Sequence, residues 1–271
     1  MSMRRMLTVL VAAAGTMPAA SAAIANPFPP PHGAPEAVPG MGPALPVPAA
    51  PPAAVPEIRS ITARPGVAVV TQRKPVKVVI DVLARNARKV TAEVEPEDER
   101  RGGRVGRWAL ASVARRGDGW ELWRLYPGKD SLLGKWHRPG RWVITVTATG
   151  RGGRKAVGRA DFHLKRNTRL TGFNVAAEPL RRGDRARVYG RLTRLDPLTG
   201  GYTGYAGKPV VLGFRPEGSR VFQPVKTVRT GRDGWFRTGV RVEGAGVWRA
   251  MFEGTSRHHA QGSRLDRITP R

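Results

Sequence analysis

Cysteine is absent from the 271 residues. That excludes disulfides, thiolate metal sites, a cysteine nucleophile and a lipid-modified cysteine behind a leader. Stability must therefore come from packing alone. Acidic residues are scarce: 20 Asp and Glu stand against 47 Lys and Arg, a formal net charge of +27. Beyond the N-terminal region no run of 18 apolar residues occurs, so no further spanning helix is expected. Catalytic signatures are missing as well. There is no Gly-x-Ser-x-Gly turn, no phosphate-cradling loop and no dinucleotide glycine motif. No cofactor is implied, and an enzyme is not expected.

What is present begins with a leader. Arg4 and Arg5 precede the apolar run Met6–Gly15, about ten residues long and too short to cross a bilayer. Pro18 breaks the run, and Ala20-Ser21-Ala22 offers small residues for cleavage. Residues 1–22 are expected to be a signal peptide, with a second cleavage candidate at Ala25. The short n-region favours general secretion over the twin-arginine route. Residues 23–56 are dominated by Pro, Ala, Gly and Val. Proline lacks a backbone donor and fixes φ, so an extended, disordered linker is expected there.

After Pro56 the pattern turns to period two. Val76, Val78, Ile80 and Val82 alternate with Lys77 and Asp81, and Trp142, Ile144, Val146 and Ala148 alternate with Arg141, Thr145 and Thr147. Val90–Val94 and Ala160–Leu164 alternate likewise. Further on, Ala186, Val188, Gly190 and Leu192 alternate with Arg185, Arg187, Tyr189 and Arg191; Phe236–Val242 and Trp248–Phe252 repeat the pattern. Glycine and Pro-Gly turns separate these runs. Each run predicts a strand with one face on a core and one in water. Between Trp108 and Arg116 strand and short helix are equally compatible with the pattern. The fold class is all-β: two tandem antiparallel sandwiches, at 57–166 and 167–271.

The halves resemble one another. Asp118-Gly119-Trp120 answers Asp233-Gly234-Trp235, and Pro139-Gly140-Arg141-Trp142 answers Gly244 to Trp248. Two diverged copies of one module are expected, with a boundary near Lys165 to Thr168. The second half resembles the immunoglobulin-like modules of secreted actinobacterial (high-GC Gram-positive) proteins. The residues carrying that resemblance are Thr171-Gly172-Phe173, Pro179, Gly183, Gly207-Lys208-Pro209-Val210, Asp233-Gly234-Trp235-Phe236 and Gly246 to Ala250. The resemblance covers about 100 residues and implies a surface or wall-associated, non-catalytic unit. It carries over no ligand and no catalytic residue.

The five histidines are His32, His137, His163, His258 and His259. His258-His259 forms the one cluster, with Glu253 and Asp266 the nearest carboxylates, and no metal site is expected. Glu95, Glu97, Asp98 and Glu99 form an acid cluster followed by Arg100-Arg101, read as a solvated, self-neutralising loop. Arg-Gly-Asp occurs at 116–118 and 182–184, both at expected turns.

Charge is the feature beyond fold. Residues 57–166 hold 25 basic and 11 acidic side chains, and 167–271 hold 20 and 8, so both halves are cationic. Such a field raises affinity for polyanions and makes it salt-sensitive. Arg185, Arg187, Arg191, Arg237, Arg241 and Arg249 are the candidate contacts, since guanidinium pairs with phosphate in a fork. Expected partners are anionic cell-wall polymers or lipid headgroups, with no specific nucleic acid. The expectation is a secreted, extracellular, non-catalytic envelope protein. The alternative is a passive spacer, or an accessory to another secreted factor, without polymer affinity.

Overall fold

The computed structural model describes residues 54–98, 106–126, 128, 132–176 and 181–271. The expected signal peptide and all but the last three residues of the expected linker lie outside them.

The first nine strands are β1 (Glu57–Arg64), β2 (Val67–Val70), β3 (Val79–Arg85), β4 (Lys89–Pro96), β5 (Gly106–Ala109), β6 (Ala111–Arg115), β7 (Trp120–Leu125), β8 (Gly140–Thr149) and β9 (Lys155–Arg166). They form two sheets, ordered β1-β3-β7-β6 and β2-β9-β8-β4-β5. All neighbours are antiparallel except β2, which runs parallel to β9. Between the sheets lies one apolar cluster, in which Trp142, Ile144, Phe162 and Leu164 are almost completely buried. Each large apolar side chain removed from water contributes about 1.5–3 kcal/mol.

The next nine are β10 (Thr168–Ala176), β11 (Arg185–Leu195), β12 (Tyr202–Gly204), β13 (Pro209–Pro216), β14 (Gln223–Arg229), β15 (Trp235–Arg241), β16 (Gly246–Phe252), β17 (Gln261–Gly262) and β18 (Asp266–Ile268). β11 carries β10 on one side and β12 and β15 in series on the other; the facing sheet runs β14-β13-β16-β17, with β18 also on β16. A second apolar cluster fills the space between, with Trp248, Phe236, Phe252 and Leu212 at its centre.

The two sheet pairs share one plan. The order β1-β3-β7 corresponds to β10-β11-β15, and β5-β4-β8-β9 to β14-β13-β16-β17. Trp142 on β8 and Trp248 on β16 occupy matching places, each 1% exposed. The matched Asp-Gly-Trp turns open matching strands, with Gly119 at φ 72 and Gly234 at φ 83, where an L side chain is strained.

Three details depart from the sequence pattern. The ambiguous stretch at 108–116 is two strands in different sheets. Leu110 between them is buried, and its N–H bonds Val90 O at 2.9 Å. The chain changes sheets there, so the period breaks without a helix forming. Val76 and Val78 precede β3, and Val76 bridges to Leu133 instead. Asp81, expected on a wet face, is 9% exposed. It accepts from Arg64 and from Arg124 Nε at 2.5 Å, so the outward face of β3 is roofed by two cross-strand arginines.

The junction between the halves has no spacer. Arg166 N–H donates to Arg257 O at 3.0 Å, and His259 N–H to Arg166 O at 2.9 Å. Leu195, at the end of β11, packs into the first cluster. No helix among the described residues is long and apolar enough to cross a membrane.

Candidate functional site

Strand alternation decides where the candidate arginines go. Ala186, Val188 and Leu192 of β11 are fully buried, which turns Arg185, Arg187, Tyr189 and Arg191 to the outer face of their sheet. β15 lies antiparallel beside it, its core positions taken by Phe236 and Val240. The register sets Arg185 opposite Arg241, Arg187 opposite Gly239, Tyr189 opposite Arg237 and Arg191 opposite Trp235. Five of the six candidates therefore share one face. Arg249 does not. It lies on β16, in the facing sheet, where its guanidinium sits 4.1 Å from the ring centre of Phe222.

A groove of about 720 Å³ runs along the first face. Arg185, Arg187 and Arg237 line it together with Tyr189, Trp235 and Gly239. The Arg185 side chain lies across Gly239: a Cβ there would stand 2.5 Å from its Nε and would push that side chain aside. The ends of the groove are pinned. Arg191 Nε donates to Asp233 O at 3.0 Å, and Arg241 Nε donates to Gly183 O at 3.2 Å. Asn174 Nδ2 donates to Tyr189 Oη at 2.8 Å and orients that ring. Arg185, Arg187 and Arg237 form no ion pair with any described residue. Like charges left uncompensated on adjacent strands repel, and a multivalent anion relieves that repulsion.

Sequence reasoning missed the aromatic part of the groove. Tyr189 interrupts the arginines at a period-two position, which is a readable signal. Trp235 reaches the face through strand pairing with β11, which the sequence does not display.

The other features singled out from the sequence have local roles. His137 Nδ1 accepts from Gly134 N–H at 2.8 Å, closing a turn beside Trp142. His258 is 7% exposed and its Nδ1 stands 3.0 Å from Tyr205 Oη. Its pKa is lowered to about 4, by burial first and then by Arg194, Arg166, Lys208 and Arg257. Among the described residues no three His, Asp or Glu side chains are grouped to hold a metal ion. Glu97 pairs with Arg141 of β8 at 2.5 Å and Asp98 with Arg257 of the 256–258 segment at 3.9 Å, so cations distant in sequence meet two of the cluster's acids. Arg100, Arg101 and Glu99 lie outside the described residues. In the second Arg-Gly-Asp triplet, Asp184 Oδ2 accepts from Arg181 N–H at 2.8 Å, closing a turn.

No family model matches the chain, and no curated protein matches it. Several solved structures are similar in shape. Murine CEACAM1b is 14% identical, at a TM-score of 0.37, with 79% of this chain and 99% of that one covered. The chain in a complex of a mouse coronavirus receptor-binding domain with its murine receptor is 13% identical, at a TM-score of 0.37, with 79% of this chain and all of that one covered. A mutant Salmonella alpha-2-macroglobulin is 14% identical, at a TM-score of 0.35, with 81% of this chain covered. This chain spans 15% of that macroglobulin and 20% of the Escherichia coli one. Likenesses of this degree bear on neither ligand nor activity.

Proposed function

We propose that this is a secreted, non-catalytic envelope protein built from two tandem immunoglobulin-like sandwiches. It contacts anionic wall polymer through the β11–β15 face. One observation carries the reading: three arginines with no ion pair among the described residues line a groove with a tyrosine and a tryptophan. Guanidinium forks suit phosphate oxygens, and the aromatic rings supply flat apolar surface for the carbon skeleton between phosphates. The parallel β2–β9 contact and the matching strand orders support the immunoglobulin-like, duplicated reading. The leader read from residues 1–22 supports export, and the absence of an expected catalytic signature supports a binding role.

The test is retention on immobilised poly(glycerol phosphate) under a salt gradient. The wild-type chain should bind at low ionic strength and elute as salt rises. The triple variant Arg185→Gln, Arg187→Gln, Arg237→Gln should elute at clearly lower salt. A charge-matched control, Arg73→Gln, Arg154→Gln, Arg159→Gln, should elute close to wild type, since those exposed arginines lie off the groove. Equal elution of the two variants would reduce binding to net charge. No retention at any salt would favour the passive spacer.

A further inference from the structure

A second basic site lies apart from the sheet face, where the two halves meet. A cleft of about 730 Å³ is walled by the end of β9, the end of β11 and the segment 256–258. Arg138, Arg141, Arg166, Arg194 and Arg257 line it, and two histidines, His163 and His258, complete the wall. Glu97 and Asp98 are the acidic members of the lining. Each pairs with an arginine of the same lining: Glu97 holds Arg141, which also holds Asp161 at 3.3 Å, and Asp98 leans toward Arg257 at 3.9 Å, so the arginines still outnumber the acids. Arg166 and Arg194 form no ion pair with a described residue.

Two buried polar atoms in this wall have no hydrogen-bond partner among the described residues. Arg166 Nε is shielded from solvent and unmet. So is His258 Nε2, on a residue only 7% exposed. Thr255 Oγ1 accepts the N–H groups of Arg257 and His258, at 3.2 and 3.0 Å, and Nδ1 of His258 stands 3.0 Å from Tyr205 Oη, which fixes the ring's place in the wall. Buried polar atoms are ordinarily hydrogen-bonded, and two unmet ones on a wall of arginines mark this junction out.

We propose that this cleft binds a phosphate group, with the guanidinium groups of Arg166, Arg194 and Arg257 as its donors. The backbone bonds of Arg166 to Arg257 and His259 hold the wall in place before a ligand arrives. Burial, then repulsion from Arg194 and Arg257, lowers the pKa of the Arg166 guanidinium against the opposing pull of Asp196, as expected of a positive site awaiting its counter-charge. A phosphate group in the cleft relieves that repulsion. The inference stands independently of the sheet-face contact.

Inorganic phosphate titrated into the purified chain at neutral pH, followed by calorimetry and by the ring resonances of His258, tests this. A saturable single site is expected, with a His258 shift tracking the heat. Arg166→Gln with Arg194→Gln should weaken binding at least tenfold. Arg257→Gln, at a largely exposed side chain and safe for folding, should weaken it several-fold. The sheet-face triple variant should stay within twofold of wild type. Poly(glycerol phosphate) added to the phosphate-loaded protein distinguishes the source. Displacement of phosphate means that polymer supplies the group; retention means that a small phosphate does. No saturable binding, binding that leaves His258 unmoved, or unchanged affinity in both cleft variants would overturn the proposal.

Discussion

Tyr205 Oη stands 3.0 Å from Nδ1 of His258, with the two ring centres 4.6 Å apart. The tyrosine belongs to the second apolar cluster, and the histidine's bridge to Arg166 ties that cluster to the end of β9. Burial and the surrounding cations Arg194, Arg166, Lys208 and Arg257 favour the neutral imidazole. His258 has its pKa lowered to about 4 in the fold, against 6.5 when unfolded. Between those values the unfolded chain binds more protons, so stability rises with pH. The contribution is complete above pH 6.5 and is lost as pH falls toward 4, up to about 3 kcal/mol. Urea unfolding at pH 7 and pH 4.5 should show this loss, and His258→Asn should flatten that part of the profile.

Asp81 and its arginines make a second prediction. The carboxylate is nearly buried, while Arg64 is largely exposed and Arg124 is 25% exposed. Removing the shared anion strands two cations over β3. Asp81→Ala should cost about 2–3 kcal/mol, whereas Arg64→Ala should cost under about 1 kcal/mol. A double-mutant cycle on Asp81 and Arg124 by chemical denaturation should show a coupling of about 1 kcal/mol or more.

The matched glycine turns should respond unequally. Gly119 has a positive φ but open space around it. Gly119→Ala should cost about 1 kcal/mol, the strain of a left-handed residue. Gly234 has a similar φ, yet a Cβ there would stand 2.1 Å from Leu192 O. That carbonyl also accepts Tyr205 N–H at 3.0 Å, and Gly234 O accepts Leu192 N–H at 2.9 Å. Gly234→Ala should cost more than about 3 kcal/mol and lower the unfolding temperature far more than its counterpart.

The two central tryptophans differ in one hydrogen bond. Trp142 Nε1 donates to Arg138 O at 2.9 Å, while the buried Nε1 of Trp248 has no partner among the described residues. Replacement by Phe loses packing at both, but at Trp248 it also removes an unmet donor. Trp248→Phe should therefore be milder than Trp142→Phe by about 1–2 kcal/mol in equilibrium unfolding.

Much of the strand content was legible because alternation is a local property. The β4, β8, β11 and β16 runs read directly, since each places every second side chain in a core. Leu110 was not legible: its meaning lies in a change of sheet, which interrupts the period. Nor was Asp81, whose surroundings come from β1 and β7 rather than from its own strand. The arginines on β11 were readable as outward. That β15 would add Arg237 and Arg241 to the same face, and that Arg249 would leave it, depended on strand pairing.

From the sequence alone follow the cationic surface, the lack of disulfides, the all-β character and the duplicated turns, because composition and period two are written along the chain. The tertiary structure alone decided which arginines share a groove, and that Arg166, Arg194 and His258 meet in a cleft. Those residues are up to 92 positions apart, and cross-strand register and the packing of one half on the other bring them together.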